Sequence, residues 1–433
     1  MNVLLIGSGG REHALALAIA GSRSLKKLFI TPGNPGTGML GENVILDLNR
    51  TAISEFCKTN NIELVVIGPE QYLVNGLADE LRSEGIDVFG PGSRAADIEA
   101  HKSFSKQLMQ EYKIPTAEFA EFNSGNREAA LNYIKDYKYP LVIKADGLAA
   151  GKGVIICNDY AEAAEALNEI FVHKIFGASG DKIIIEEFML GQEASLFAVT
   201  DGENYFILPS AQDYKRIGDI DTGKNTGGMG SFAPSPLITL SLMKIIEKDI
   251  IIPTLKAMRD KERNFSGCLY IGLMITNEGP KVVEYNCRFG DPETQVVLPL
   301  LQGDFLKLLY SAAIGIIDKN AVRYNGGSAL CVVLSSNGYP DKYETGFEIT
   351  GLNDENPDPS IIIYHAGTKW KEDRIVTAGG RVLGVTSVNP INNIEWAKRK
   401  AYTAVQNIYF NGMYCRSDIG DKGINQQTVF HAE

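Results

Sequence analysis

Between Gly279 and Gln295 the chain reads Gly-Pro-Lys-Val-Val-Glu-Tyr-Asn-Cys-Arg-Phe-Gly-Asp-Pro-Glu-Thr-Gln, which sets Glu284, Asn286 and Arg288 at every second position. Alternate side chains of an extended strand share a face, so these three project together, with Val283, Tyr285 and Cys287 on the other face. Two adjacent oxygen donors suit a hard cation such as Mg²⁺, which takes few protein ligands and completes its shell from phosphate and water. The arginine suits a carboxylate or a phosphate. The exit that follows crowds charge, glycine and proline onto a strand end, where binding residues concentrate. Together these residues outline a nucleotide-dependent active site.

Other stretches supply complementary chemistry. Gly7-Ser8-Gly9-Gly10-Arg11-Glu12 follows an apolar strand and opens a helix, so its amides and the helix dipole make an anion site. A dinucleotide fingerprint would want glycine at Glu12 and an acidic residue where Thr31-Pro32-Gly33 stands. A monophosphate is therefore expected rather than NAD. Ala149-Ala150-Gly151-Lys152-Gly153 can cradle a polyphosphate, although Gly153 occupies the Ser/Thr position of the Walker pattern. Lys144 ends the strand before that loop. Glu186-Glu187-Phe188-Met189 offers backbone donors and acceptors and an apolar wall to an adenine. Asp213-Tyr214-Lys215-Arg216 and Asn225-Thr226-Gly227-Gly228-Met229-Gly230 bracket a candidate binding loop. The five histidines show no zinc spacing, and no nucleophile elbow is present. Catalysis by charge stabilisation and positioning is implied, without a covalent enzyme intermediate.

The elements that must position these residues follow from pattern. Up to about residue 100, short apolar runs (Asn2 to Ile6, Lys27 to Ile30, Leu64 to Ile67, Val88 to Phe89) alternate with helical segments, predicting a parallel sheet covered on both faces. Its Gly-rich turns then gather at the carboxyl ends of the strands, where open α/β sheets bind ligands. From about 100 to 325, hairpin signals predict α+β organisation. Leu141 to Lys144 pairs with Val154 to Cys157, Ala194 to Thr200 with Tyr205 to Leu208, and Tyr270 to Thr276 with Lys281 to Cys287 through Asn277-Glu278-Gly279-Pro280. From Ser328 onward, short strands and a helix over 395–408 predict a small closing domain. The expected division is 1–103, 104–325 and 326–433.

Composition bounds the alternatives. A chain of 433 residues, 44% hydrophobic and 22% charged, fits about three globular domains. A net charge of −11 repels nucleic acid and anionic membrane, so a phosphate ligand must be held by local cations in a pocket. The six scattered cysteines fit reduced, buried thiols. With no signal-peptide core and no run of ~20 apolar residues, a cytoplasmic protein is expected.

At this point the motifs match a family. Gly7 to Ala14, Pro32-Gly33-Asn34-Pro35-Gly36, Ala145 to Gly153, Asn225 to Gly230 and Glu284 to Gln295 closely resemble the glycinamide ribonucleotide synthetases, or phosphoribosylamine-glycine ligases, of the ATP-grasp superfamily. The resemblance extends to Ala366-Gly367-Thr368 and Gly379-Gly380-Arg381-Val382, and so covers almost the whole chain. It implies an α/β and α+β multidomain fold: a Rossmann-like N-terminal parallel sheet, ATP-grasp domains with a mobile lid over about 120–190, and a small C-terminal α/β domain.

The activity it implies joins glycine to 5-phosphoribosylamine at the expense of ATP through a glycyl phosphate, with Mg²⁺ (or Mn²⁺). Glu284 and Asn286 would hold the metal. Lys102, Lys144, Gly151, Lys152 and Gly153 would take the phosphates, and Glu186, Glu187, Phe188 and Glu193 the adenosine. Lys106 rivals Lys102, whose distance from Pro115 resembles the family spacing better. Arg288 and Asp213 would address glycine, and Lys144 would share in catalysis. Gly9, Gly10, Arg11, Glu12, Asn34, Pro35, Gly36 and Glu70, with Lys215, Gly228, Met229 and Gly290, would complete the substrate sites. A single-function enzyme ending at Glu433, monomeric or weakly dimeric, is implied, with small-molecule partners only. A sister ATP-grasp ligase or carboxylase, or a nucleotide-binding regulator without activity, are the competing readings. Intact Glu284, Asn286, Lys144 and Arg288 argue against the second.

Overall fold

The computed structural model describes residues 1–148, 153–352 and 358–430. Gly151 and Lys152 lie outside the described residues. The N-terminal strands β1 (Asn2–Gly7), β2 (Lys27–Pro32), β3 (Glu42–Asn43), β4 (Leu64–Ile67) and β5 (Asp87–Phe89) form a parallel sheet in the order β3-β2-β1-β4-β5. The chain runs outward from β1 in both directions, so the topological switch point lies between β1 and β4. Helices α1 (Gly10–Ala20), α2 (Arg50–Thr59), α3 (Glu70–Val74), α4 (Leu77–Ser83) and α5 (Ser93–Ala100) follow its strands. Leu4, Ile6, Val65 and Ile67 point into one apolar core and Val3, Leu5, Leu64 and Val66 into another, which is why these strands read as continuous apolar runs.

After α6 (Lys102–Glu111), strands β6 (Phe119–Asn123), β7 (Leu141–Ala145), β8 (Val154–Cys157) and β9 (Lys182–Glu187) make an antiparallel sheet ordered β6-β9-β7-β8. Helices α7 (Arg127–Lys135) and α8 (Tyr160–Phe171) cover it, and Ala130, Ile134, Leu141, Ile143, Leu167 and Ile183 give it a core of its own. A second antiparallel sheet joins β10 (Gln192–Thr200), β11 (Tyr205–Ile207), β16 (Gly267–Thr276) and β17 (Gly279–Asn286). Its residues Leu196, Leu269, Ile271 and Tyr285 share a core with the N-terminal sheet. The expected boundary near 103 therefore separates stretches of chain, while the apolar core runs across it.

The C-terminal sheet draws strands from the middle of the chain. β12 (Gln212–Asp213) and β15 (Gly230–Ala233) flank the small hairpin of β13 (Arg216–Gly218) and β14 (Thr222–Asn225). β16 (Gly267–Thr276) and β17 (Gly279–Asn286) follow, then the short pair β18 (Leu301–Gly303) and β19 (Val322–Tyr324). β20 (Ser328–Ser336), β21 (Ile361–His365), the hairpin β22 (Thr368–Lys371) with β23 (Arg374–Thr377), β24 (Arg381–Asn389) and β25 (Met413–Tyr414) complete the strands. The sheet order is β12-β15-β20-β24-β21, antiparallel throughout, with β25 beside β20 and the helix Ile394–Val405 packed on it. Composition alone gave no sign that 212–213 and 230–233 pair beyond residue 325.

Candidate active site

The hairpin β16–β17 carries the residues that opened the sequence reading. Register runs Tyr270 to Asn286, Ile271 to Tyr285 and Gly272 to Glu284, then shifts so that Leu273 faces Val282. Val283 is thus the extra residue of a bulge. The expectation that it shares a face with Tyr285 and Cys287 is corrected: Val282, Tyr285 and Cys287 are buried, while Val283 is only partly buried. Bulges re-aim side chains beside active sites. Here the bulge also turns the Val283 carbonyl to accept from Lys144 Nζ at 3.3 Å.

A cavity of about 1320 Å³ opens between the β6–β9 sheet, the β10–β17 sheet and the C-terminal unit. It gathers most of the expected residues: Lys102, Lys144, Gly153, Glu186, Glu187, Phe188, Glu193, Asp213, Lys215, Glu284, Asn286, Arg288, and at its N-terminal end Arg11 and Glu70. Residues from Arg11 to Arg288 thus meet at one place.

Glu284 is open to the cavity, its side chain 35% exposed, with Lys215 Nζ at 3.9 Å. Burial raises its pKa, but Lys215, Lys144, Lys102 and Arg288 outweigh that and hold the carboxyl below its ordinary range. Burial opposes the Lys215 ammonium, yet Glu193 at 2.5 Å, Asp213 and Glu284 keep its pKa well above the usual lysine value. Burial raises Asp213 to about 7, with Glu293 and Glu193 adding to the rise and Lys215 opposing it. Burial lowers Lys102, partly offset by Glu284, and its Nζ donates to the Gly147 carbonyl at 3.3 Å.

Glu186 is 1% exposed. Its Oε2 lies 2.9 Å from Lys144 Nζ and 3.1 Å from Lys106 Nζ, and its Oε1 has no partner among the described residues. Lys106 also donates to Thr116 Oγ1 at 2.7 Å, and burial brings its ammonium down to about 8 against the pull of Glu186. Both rival lysines line the cavity; Lys106 is bound to the buried Glu186 carboxylate and Lys102 to the Gly147 carbonyl.

Arg288 is held on three sides: Nε by Glu70 Oε2 at 3.2 Å, Nη2 by Glu99 Oε1 at 3.3 Å, and Nη1 by the Phe289 carbonyl at 3.3 Å. Its Nε and Nη1 each make one hydrogen bond and its Nη2 an ion pair, so N–H groups remain for a ligand. Burial opposes its charge, and Glu99 and Glu70 more than restore it.

Several expected residues lie away from the cavity wall. Glu12 folds back on its own turn, taking the Gly9 amide at 2.7 Å and Arg11 Nε at 2.6 Å. Its side chain fills the crevice between the β1 and β4 ends. A Cβ at Gly7 or Gly68 would come within 2.3 or 2.2 Å of it. The space a dinucleotide would use is therefore occupied by the residue that replaces the fingerprint glycine. Gly10 abuts Gln295. Asn34 is buried and saturated, donating to the Ser8 and His365 carbonyls and accepting from the Thr37 amide. Pro35 and Gly36 are buried beside it, Gly36 against His13 and His365. Gly228, at φ +113, admits Pro292, since a Cβ there would meet its Cδ at 2.4 Å. Met229 is core, and Gly290 leaves room for Glu293.

The structure adds residues that spacing did not reveal. Glu293 is buried at the cavity, accepting from Ser195 Oγ at 3.1 Å, with Ser195 in turn 2.9 Å from Tyr270 OH. Arg381 lines the cavity and pairs with Asp291 at 3.0 Å while donating to the Gly227 carbonyl. Both stand within quoted motifs, which was the available signal. Glu99 had none.

Two adjacent oxygen donors open to the cavity, with cationic side chains set around them, suit a divalent cation that takes its other ligands from phosphate and water. Among the described residues no group of three or more His, Cys, Asp or Glu could hold a metal by itself. The donor set therefore fits a cation that arrives with a nucleotide. No described helix is long and apolar enough to cross a membrane.

Comparison with known proteins bears on the whole chain. The phosphoribosylglycinamide synthetase family matches in three blocks: its N domain over residues 1–99, its ATP-grasp (A) domain over 100–294 and its C domain over 329–422. The chain is 45% identical to a phosphoribosylamine–glycine ligase of Chlorobaculum tepidum, over 98% of this chain and 100% of that protein. It is 43% identical to the one of Caldanaerobacter subterraneus, over 97% and 99%. The crystal structure of the Thermotoga maritima phosphoribosylamine–glycine ligase superposes with a TM-score of 0.83 at 35% identity, covering 97% of this chain and 100% of that one. A biotin carboxylase–β-γ-ATP complex from Campylobacter jejuni shares the fold alone, with a TM-score of 0.74 at 14% identity over 99% and 95%.

Proposed function

The chain belongs to the phosphoribosylglycinamide synthetase family and is an ATP-dependent ligase of glycine in purine synthesis, and from that premise we propose how its cavity divides the work. ATP lies between the two antiparallel sheets. Phe188 and Met189 wall the adenine, while Glu187 and Glu193 serve the adenosine and Lys102, Lys144 and Gly153 face the phosphates, with Gly151 and Lys152 assigned to the phosphates by the family motif alone. Glu186 acts through the lysines it holds. Glu284 and Asn286 would hold Mg²⁺ or Mn²⁺. When bound, the cation supplies positive charge to the phosphate oxygens, where phosphoryl transfer needs it.

Glycine sits with its carboxylate toward the remaining N–H groups of Arg288 and its ammonium toward Asp213. A glycine carboxylate oxygen bonds to the γ-phosphorus as ADP leaves. Lys144 and Lys102 stabilise the charge that spreads over the transferring group. The phosphoribosylamine nitrogen then bonds to the acyl carbon and phosphate leaves. The sugar phosphate is received at the opening turn of α1, by the Gly10 and Arg11 amides, with Glu70 near the ribose. Glu12, Asn34, Pro35, Gly36, Gly228, Met229 and Gly290 shape this ground without touching the reacting atoms. The β6–β9 sheet with its own core closes over the glycyl phosphate and excludes water. The working enzyme is cytoplasmic, a monomer or weak homodimer.

The observation that carries this reading is the convergence of Glu284, Asn286, Arg288, Lys102, Lys144, Lys215 and Asp213 on one cavity. The test is ADP release by the purified chain. It should require Mg²⁺ or Mn²⁺, glycine and phosphoribosylamine together. Zero turnover with all substrates present, or turnover supported by bicarbonate in place of glycine, would overturn it.

A further inference from the structure

Glu99 is the second-last residue of α5 and is 8% exposed. Its carboxylate faces the exit of β17. Oε2 accepts the backbone N–H of Cys287 at 2.7 Å, and Oε1 stands 3.3 Å from Arg288 Nη2. With the Asn286 amide assigned the orientation its neighbours require, its nitrogen donates to Oε1 at 3.1 Å and to the Tyr285 carbonyl at 3.1 Å. One side chain thus grips three consecutive residues, 286, 287 and 288.

These neighbours decide which way Asn286 faces. Turned over, its oxygen would meet Glu99 and the Tyr285 carbonyl, two acceptors with nothing to donate. With the nitrogen engaged, the oxygen is the end left for the cavity that Asn286 lines. An amide oxygen ligates a hard cation, whereas an N–H cannot.

We propose that Glu99 is a positioning residue for the ligation: it presents the oxygen of Asn286 to the divalent cation and holds Arg288 beside it. The proposal rests on the reading that Glu284 and Asn286 take the metal. It assigns Glu99 no contact with substrate or cation. Replacing its carboxylate by an amide leaves one acceptor for three donors and adds a donor of its own. The least costly relief is for Asn286 to turn over, which points its NH₂ at the cation. Arg288 keeps Glu70 but loses its second anionic partner.

The test is Mn²⁺ titration of the full chain by electron paramagnetic resonance, with a non-hydrolysable ATP analogue present and thermal melting run in parallel. Glu99→Gln should weaken Mn²⁺ binding about 10- to 100-fold, the usual cost of removing a group that orients a metal ligand. Combining E99Q with N286D trades carboxylate and amide across the same contact and should recover most of the loss. Glu284→Gln should also lose Mn²⁺ and tests the underlying reading separately. If E284Q loses Mn²⁺ while E99Q binds as wild type, the role of Glu99 falls and the metal reading stands. If E284Q binds Mn²⁺ as wild type, the metal reading falls and this proposal with it. A folded double variant that binds no better than E99Q overturns the amide-orientation argument. Should E99Q not fold, the double variant decides alone: near wild-type Mn²⁺ affinity supports the proposal, and failure to bind or to fold counts against it.

Discussion

Two carboxylates of this protein, Glu186 and Glu284, lie among lysines at the same cavity, and their difference is one of access. Glu186 is sealed by Lys106 and Lys144 at 3.1 and 2.9 Å. Among the described residues Glu284 has its nearest cation, Lys215, at 3.9 Å, and it keeps a third of its side chain open. A buried carboxylate in direct contact with two ammonium groups has little to offer a third cation. One held at a distance by a spread of lysines keeps its charge and its lone pairs available. The same residue types therefore make a brace in one place and a ligand site in the other. Burial and distance, rather than composition, decide between them.

The comparison can be broken most forcefully at the brace. Glu186→Gln leaves two buried lysines facing an amide and should cost ~3–5 kcal/mol of stability, read by denaturant unfolding. A loss below ~1 kcal/mol would mean Lys106 and Lys144 find other partners, and the brace reading would go. At the open site the expectation reverses. Glu284→Gln should leave the melting temperature unchanged and lower turnover by ~10²- to 10³-fold, measured as ADP release. Wild-type rates would remove Glu284 from the chemistry.

Arg288 shares both characters, being braced by two carboxylates yet left with free N–H groups. Arg288→Lys keeps the charge but loses the planar fork, so the KM for glycine should rise ~10-fold or more while that for ATP changes little. Equal effects on both would assign Arg288 to the nucleotide. Asp213 adds a pH dependence. Its pKa is raised to about 7 and it must be ionised to hold an ammonium, so kcat/KM for glycine should climb as pH rises through 7. Asp213→Asn should flatten that limb.

A separate pH dependence concerns a pair with no ion at all. His13 accepts the His365 amide at 2.8 Å. Burial and the nearby His365 lower His13 to about 3, and burial lowers His365 to about 4. Unfolded histidines take a proton near pH 6.5, so below that value the unfolded chain binds more protons than the folded one. Stability should therefore be lost as pH falls from about 6.5 toward 4, by at most ~1.4 kcal/mol per unit for each histidine. A melting temperature unchanged between pH 7 and 5 would show that these rings are charged when folded.

Much of the site was legible because strand period and turn chemistry are local. The alternation of Glu284, Asn286 and Arg288, the hairpin at 277–280 and the glycine turn at Gly7 each depend on residues within a few positions of one another. Val283 escaped because a bulge depends on the partner strand's register, which a single strand does not encode. Glu99 escaped for a similar reason. An acidic residue late in a short helix looks like any solvated charge until the fold sets Cys287 against it. Asn34 was expected at the substrate from the resemblance, and only the packing of Ser8, Thr37 and His365 around it engages both amide hydrogens and its oxygen.

By itself the sequence determined the parallel N-terminal sheet, the hairpins that follow and the family chemistry of metal, phosphate and carboxylate groups. Periodicity and side-chain type are properties of the chain itself. Tertiary structure alone decided that Lys106 and Lys144 are both held by Glu186, and that strands at 212–213 and 230–233 complete the C-terminal sheet. It also decided that Glu12 fills the crevice a dinucleotide would need and that Glu99 grips the end of β17. Each of these turns on distance and burial between residues far apart in sequence, and such quantities exist only once the chain has closed on itself.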